Sequence, residues 1–334
     1  SKLETAYREM WQTWCAEEGT HMSSEKDSSN ENDEKSNDHP AGKHVFSIDQ
    51  AADMAREHSQ NGRNAEAEDI YRSILRVDPN NTVAMHNLAL IIRDGENPEQ
   101  AIALFKQALS IDPEFAEAYL SMGETVHLSG HPDVAITYYR KALAIRPDYV
   151  QAHINLGNSL SELEQNEEAI GHLRQALALS PNDAIAHYNL ARVLFLDKQT
   201  DEAAGVGRQA VASNPDSVEA HINLTLIELQ RNNFTEALES SQRAFALAPG
   251  SPATHLSIAN VLQKQGRFGE ALTHYRQVIE LNPNHNEAWA LLERLIKAAL
   301  FNEGLNRRGD DRYGQGFTQT IQAGYHFALL QYYL

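Results

Sequence analysis

Six small polar residues recur 34 positions apart along this chain: Asn87, Ser121, Asn155, Asn189, Asn223 and Ser257. An asparagine side chain offers both a donor and an acceptor. A row of them can therefore hold an extended peptide backbone with little demand on its sequence. Three residues further on stand Leu90, Glu124, Asn158, Arg192, Leu226 and Asn260, which share one helical stripe with the first row. The residues singled out for peptide binding are Asn87, Ser121, Asn155, Asn158, Asn189, Arg192, Asn223, Leu226, Ser257 and Asn260. The competing reading is plain solvated helix surface, but regular Asn or Ser among varied neighbours favours binding. These side chains are expected to be exposed, so that alanine at Asn155, Asn189 or Asn223 would leave the fold intact.

A second row tempts a metal reading: His153, His187, His221 and His255, again 34 apart. Equivalent residues on stacked helices lie roughly 8–10 Å apart, whereas zinc needs several ligands at about 2.1 Å. The row is read as packing, and no metal or cofactor is expected. The sequence contains no HExxH, Walker-type loop or GxSxG. No catalytic residue is assigned, and the chain is not expected to be an enzyme.

The elements that position these rows follow from a second register. Prolines fall at 79, 113, 147, 181, 215, 249 and 283, and an alanine precedes each by 12 residues, from Ala67 to Ala271. With each proline at position 32, seven units of 34 residues run from 48 to 285. Unit four shows the pattern: His153, Leu156, Gly157 and Leu160 share one face of a first helix, and Ala169, Leu173 and Ala176 one face of a second. Proline disfavours helix at the residue before it, so each second helix must stop there. Unit five carries Gly205 and Gly207 in its second helix, each costing roughly 1 kcal/mol relative to alanine. It is expected to be the softest.

This pattern over 48–285 resembles the tetratricopeptide repeat. The resemblance implies an all-α, right-handed superhelical solenoid of seven helical hairpins whose first-helix stripe lines a concave groove. The asparagine row and its HxNLG-like phrases also resemble the repeat domain of O-linked N-acetylglucosamine transferase, where inner asparagines grip substrate peptides. That implies a peptide groove without implying the transferase chemistry. The stripe holds only two cations, Arg192 and Lys264, which speaks against a clamp for an acidic chaperone terminus.

Residues 286–300 read as a closing helix through Trp289, Leu292, Leu295 and Ile296, and 301–334 as a loop followed by a further helix or the start of a truncated domain. Residues 22–47 are polar and acidic and read as a disordered linker. Residues 1–21 differ in kind. Leu3, Tyr7, Met10, Trp11 and Trp14 make a continuous apolar helical face, and His21-Met22 resembles a cloning scar. The segment reads as a tag, or as a partner peptide fused to its receptor in an engineered chain, docking within the chain or on a neighbour.

The net charge is −18, of which residues 1–47, with five basic and ten acidic groups, account for −5. An acidic body without a basic cluster argues against nucleic acid as a partner. There is one cysteine and no apolar run near 18 residues, so no membrane span is expected and the location is read as cytoplasmic. The leading function is a scaffold that binds a peptide in its groove. The alternatives are the substrate-targeting module of a larger protein-modifying enzyme, such as a glycosyltransferase, and a self-assembling scaffold.

Overall fold

The structure is a computed structural model and describes residues 47–95 and 97–294. The readings of 1–46 and of 295–334, including Leu295 and Ile296, lie outside the described residues. The chain divides into two compact units, one ending at Pro147 and the other beginning at Asp148.

The first unit holds three helical hairpins: α1 (Ile48–Gln60) with α2 (Asn64–Val77), α3 (Thr82–Asp94) with α4 (Pro98–Ile111), and α5 (Ala116–Leu128) with α6 (Pro132–Ile145). The second holds four: α7 (Val150–Glu162) with α8 (Asn166–Leu179), α9 (Ala184–Leu196) with α10 (Thr200–Ser213), α11 (Val218–Gln230) with α12 (Phe234–Leu247), and α13 (Pro252–Lys264) with α14 (Phe268–Leu281). Residues 286–294 are helical as well. Every first helix starts 34 residues after the last, as the proline register requires.

Local chemistry sets the ends. Asn81, Asp183 and Ser217 cap their helices by accepting from the backbone N–H three residues on. The residue before each proline adopts extended backbone, for example Ser180 at φ −134° and ψ 86°, because proline excludes the helical conformation there. Among the described residues, the turns inside six of the hairpins each hold one left-handed residue. Gly62, Gly130 and Gly266 supply it, and Glu164, Lys198 and Asn232 adopt it at φ 59–64°.

Within each unit a first helix packs on its own second helix, and that second helix on the next first helix. The alanines at position 20, Ala67 through Ala271, are fully buried. Close approach requires them, and in the third and fourth hairpins it requires glycine opposite. A Cβ on Gly123 would lie 2.5 Å from Tyr139 Cε1, and one on Gly157 would lie 2.7 Å from Leu173 Cγ. Ala288 and Leu292 bury themselves against the seventh hairpin, with Trp289 beside them. This is the covering role expected of the closing helix.

Candidate functional site

In the second unit the first helices α7, α9, α11 and α13 lie side by side, each touching the next. Their position-6 residues are Asn155, Asn189, Asn223 and Ser257, and their position-9 residues are Asn158, Arg192, Leu226 and Asn260. The alignment is direct, since Arg192 Nη2 donates to Asn158 Oδ1 at 3.4 Å, one repeat away. In the first unit the same rows bring together Asn87 and Ser121. His86 ties them, with Nε2 3.0 Å from Ser121 Oγ and Nδ1 3.3 Å from Asn87 Oδ1. Burial pushes the His86 imidazole below its ordinary pKa, and the amide of Asn87 partly opposes that. The neutral ring is therefore favoured, donating from Nδ1 and accepting from Ser121.

The ladder does not stand open to solvent as expected. Asn189, Asn223, Ser121 and Ser257 are buried, and Asn87 and Asn155 are half-buried. Within the second unit, adjacent first helices crowd Asn189 and Asn223 from both sides, so a side chain there reaches water only along the shared face.

Hydrogen bonding separates the ladder into occupied and open rungs. Asn155 Oδ1 accepts from Gln151 Nε2 at 2.9 Å. Asn260 Oδ1 accepts from the Tyr275 hydroxyl at 2.7 Å, and burial raises that phenol far above its ordinary pKa, so it stays a donor. Asn189 and Asn223 have no side-chain hydrogen-bond partner among the described residues. The Ser257 hydroxyl is buried and likewise without one. Three successive rungs therefore present unused donors and acceptors.

The histidine row is buried at His153, His187, His221 and His255. Its partners are not the next histidines in the row. His153 Nδ1 lies 3.0 Å from His172 Nδ1, and His255 Nδ1 lies 2.9 Å from His274 Nδ1, each across one hairpin. His221 and His255 also face the carbonyls of Pro215 and Pro249 through Nε2, each at 3.0 Å. No group of three or more His, Cys, Asp or Glu able to hold a metal is present among the described residues. Nor is any described helix long and apolar enough to cross a membrane.

One buried charge escaped the sequence reading. Glu228 is fully buried where other units carry Ile92, Val126, Leu160, Leu194 or Leu262. It accepts from Arg208 at 2.8 Å, from Arg231 at 2.9 and 3.0 Å, and from Asn233 at 3.0 Å. The docking-helix residues Leu3, Tyr7, Met10, Trp11 and Trp14 lie outside the described residues.

Comparison with known proteins gives three family models, each described as tetratricopeptide repeat. They match residues 81–148 and 116–182, 154–217, and 228–295, together more than half of the chain. No curated protein matches. Among solved structures, the chain is similar to PilW, a type IV pilus biogenesis factor (24% identity, TM-score 0.58, 64% of this chain and 98% of that one). It is similar to pilF of Pseudomonas aeruginosa (17%, 0.57, 62% and 94%). It is also similar to the Cut9-Hcn1 hetero-tetramer of the APC/C (19%, 0.64, 75% of this chain and 50% of that one). At these identities the likeness is one of fold.

Proposed function

The chain belongs to the tetratricopeptide-repeat family, and from that premise we propose that it is a protein–protein interaction scaffold holding an extended peptide along its first-helix face. The observation that carries this reading is the row Asn189, Asn223 and Ser257 on successive first helices, three side chains without partners among the described residues, of which the Ser257 hydroxyl is wholly buried. Leaving a buried hydroxyl such as that of Ser257 unsatisfied costs roughly 1–3 kcal/mol, and native proteins rarely keep one without a use; the Asn189 and Asn223 amides beside it offer their donors and acceptors along the same face. A peptide backbone supplies what these rungs lack, a carbonyl and an N–H in alternation along the strand. The resemblance of the row to the asparagine ladder of O-linked N-acetylglucosamine transferase supports the same use, without the chemistry.

The test is the double substitution Asn189→Ala with Asn223→Ala in the full chain. Neither side chain has a partner to lose, so the melting temperature is expected to stay within a few degrees. Affinity for peptides selected from a displayed random dodecapeptide library is expected to fall roughly five- to hundred-fold, at about 0.5–1.5 kcal/mol per hydrogen bond. Unchanged affinity in a folded variant would end this reading.

A further inference from the structure

The chain is acidic, and the arginines of its second unit are mostly neutralised within it. Arg174 pairs with Glu202 at 2.6 Å, Arg208 with Glu228 at 2.8 Å, Arg231 with Asp201 at 2.9 Å, Arg243 with Asp216 at 2.9 Å and Arg267 with Glu270 at 2.6 Å. Arg192 differs. It sits half-buried on the ladder face, and its one hydrogen bond is to the neutral amide of Asn158 at 3.4 Å. No carboxylate pairs with it among the described residues. A guanidinium has five donors in a rigid fork that matches a carboxylate, and here most of that fork is unused.

Exposed aliphatic side chains share its face. Leu196, one turn along α9, is 51% exposed, and Leu226, at the same position on α11, is 41% exposed. Ile185, two turns back along α9, is 57% exposed. Exposed aliphatic side chains flanking one unpaired cation, beside the open rungs at Asn189 and Asn223, distinguish this stretch from a generic solvated surface.

We infer that the peptide held by the ladder is selected at unit five by an Asp or Glu side chain that pairs with Arg192, with an apolar side chain two or three residues away seated on Leu226 or Leu196. The spacing follows from geometry. Adjacent first helices stand about 8–10 Å apart, and an extended chain advances about 3.3 Å per residue, so the step from Arg192 to Leu226 covers two or three residues. The net charge of −18 repels acidic ligands at long range, so the selection acts at contact rather than through steering. The inference rests on the reading of the ladder as a peptide site.

The experiment uses the full chain and dodecapeptides selected on it from a displayed random library. The selected peptides are expected to hold Asp or Glu with an apolar residue two or three positions away. The corresponding Asn or Gln peptide is expected to bind about tenfold more weakly, with the ratio shrinking at high salt. Arg192→Gln is expected to bind the acidic and amide peptides within twofold of each other, and Arg192→Lys to keep a reduced preference, since the charge survives but the fork does not. Peptides that need Asn189 and Asn223 but show no acidic preference, or a preference that persists in Arg192→Gln, would overturn this inference and leave the scaffold reading standing. Peptides that bind the Asn189→Ala and Asn223→Ala chain as well as the parent would overturn both.

Discussion

At Glu228 the repeat pattern and the structure part company. Position 11 of a first helix is aliphatic in most units, because it faces the second helix of its own hairpin. A carboxylate there survives because Arg208 from α10 and Arg231 and Asn233 from the turn after α11 converge on it. Removing its charge while leaving the arginines leaves hydrogen bonds unmade, so Glu228→Gln is expected to cost about 1–3 kcal/mol in denaturant unfolding. Glu228→Leu is expected to cost less. It restores the apolar pattern, and Arg208 and Arg231 keep Glu236 and Asp201 as partners. A leucine variant less stable than the glutamine variant would contradict this account. The sequence displayed Glu228 in the right register but did not display the convergence on it of Arg208, 20 residues back on another helix, with Arg231 and Asn233 in the turn that follows. The ladder was legible for the same reason in reverse. A 34-residue recurrence needs no partner to be seen, whereas the depth at which Asn189 and Asn223 sit depends on the crowding of adjacent helices.

Individual hairpins carry two signals of unequal visibility. The expected softness of α10 rests on Gly205 and Gly207, and the structure divides them. A Cβ on Gly205 meets nothing within 4 Å, whereas one on Gly207 meets Leu224 Cδ1 at 3.2 Å. Gly205→Ala is expected to stabilise by about 1 kcal/mol, and Gly207→Ala by less, since Leu224 must give way. Equal gains from the two in urea unfolding would show that Leu224 moves freely. The pairing of positions 4 and 23 was hidden, because single-helix periodicity does not say which residue of the second helix meets which residue of the first. It joins His153 to His172 and His255 to His274. In the second pair, His255 donates from Nε2 to the Pro249 carbonyl, so its Nδ1 accepts from His274. Burial lowers the pKa of both rings, and for His274 the neighbouring His255 lowers it further while Glu270 partly opposes. A proton added to His255, whose remaining acceptor is Nδ1, would set donor against donor. The unfolded imidazole titrates near about 6.5, and the folded ones below it, so between those values the unfolded chain binds more protons. Their stability contribution is thus complete above about pH 6.5 and lost as pH falls through the depressed folded values. The melting temperature is expected to drop between pH 7.5 and 5.5, and to drop less in His274→Gln. An identical pH dependence in that variant would assign the loss to His86 and His187, which burial also shifts downward.

For the whole molecule, the open rungs of the second unit and the apolar face of residues 1–18 frame one question of occupancy. The hairpin register made residues 48–285 legible as a stack because every repeat restates the same packing. Residues 1–21 stand outside that register, and only their own pattern speaks for them. Leu3, Tyr7, Met10, Trp11 and Trp14 fall at helical spacing, and a face of that size left in water would be an unusual patch on so polar a chain. Tethered to the array, such a segment acts at an effective concentration of roughly millimolar. A contact of only about 0.1 mM intrinsic affinity would then be occupied most of the time, and would compete with any peptide offered from outside about tenfold. Deleting residues 1–21 is therefore expected to raise the affinity for ladder-dependent dodecapeptides by about that factor. Adding a synthetic 1–18 peptide back in trans is expected to reverse the gain at submillimolar concentration. Tryptophan emission supplies a second readout, because only Trp289 lies outside the segment. Docked Trp11 and Trp14 are expected to emit to the blue and resist iodide, and to shift red when a saturating dodecapeptide displaces them. Equal affinities with and without residues 1–21, together with red, freely quenched emission from the full chain, would reduce the segment to a passive appendage.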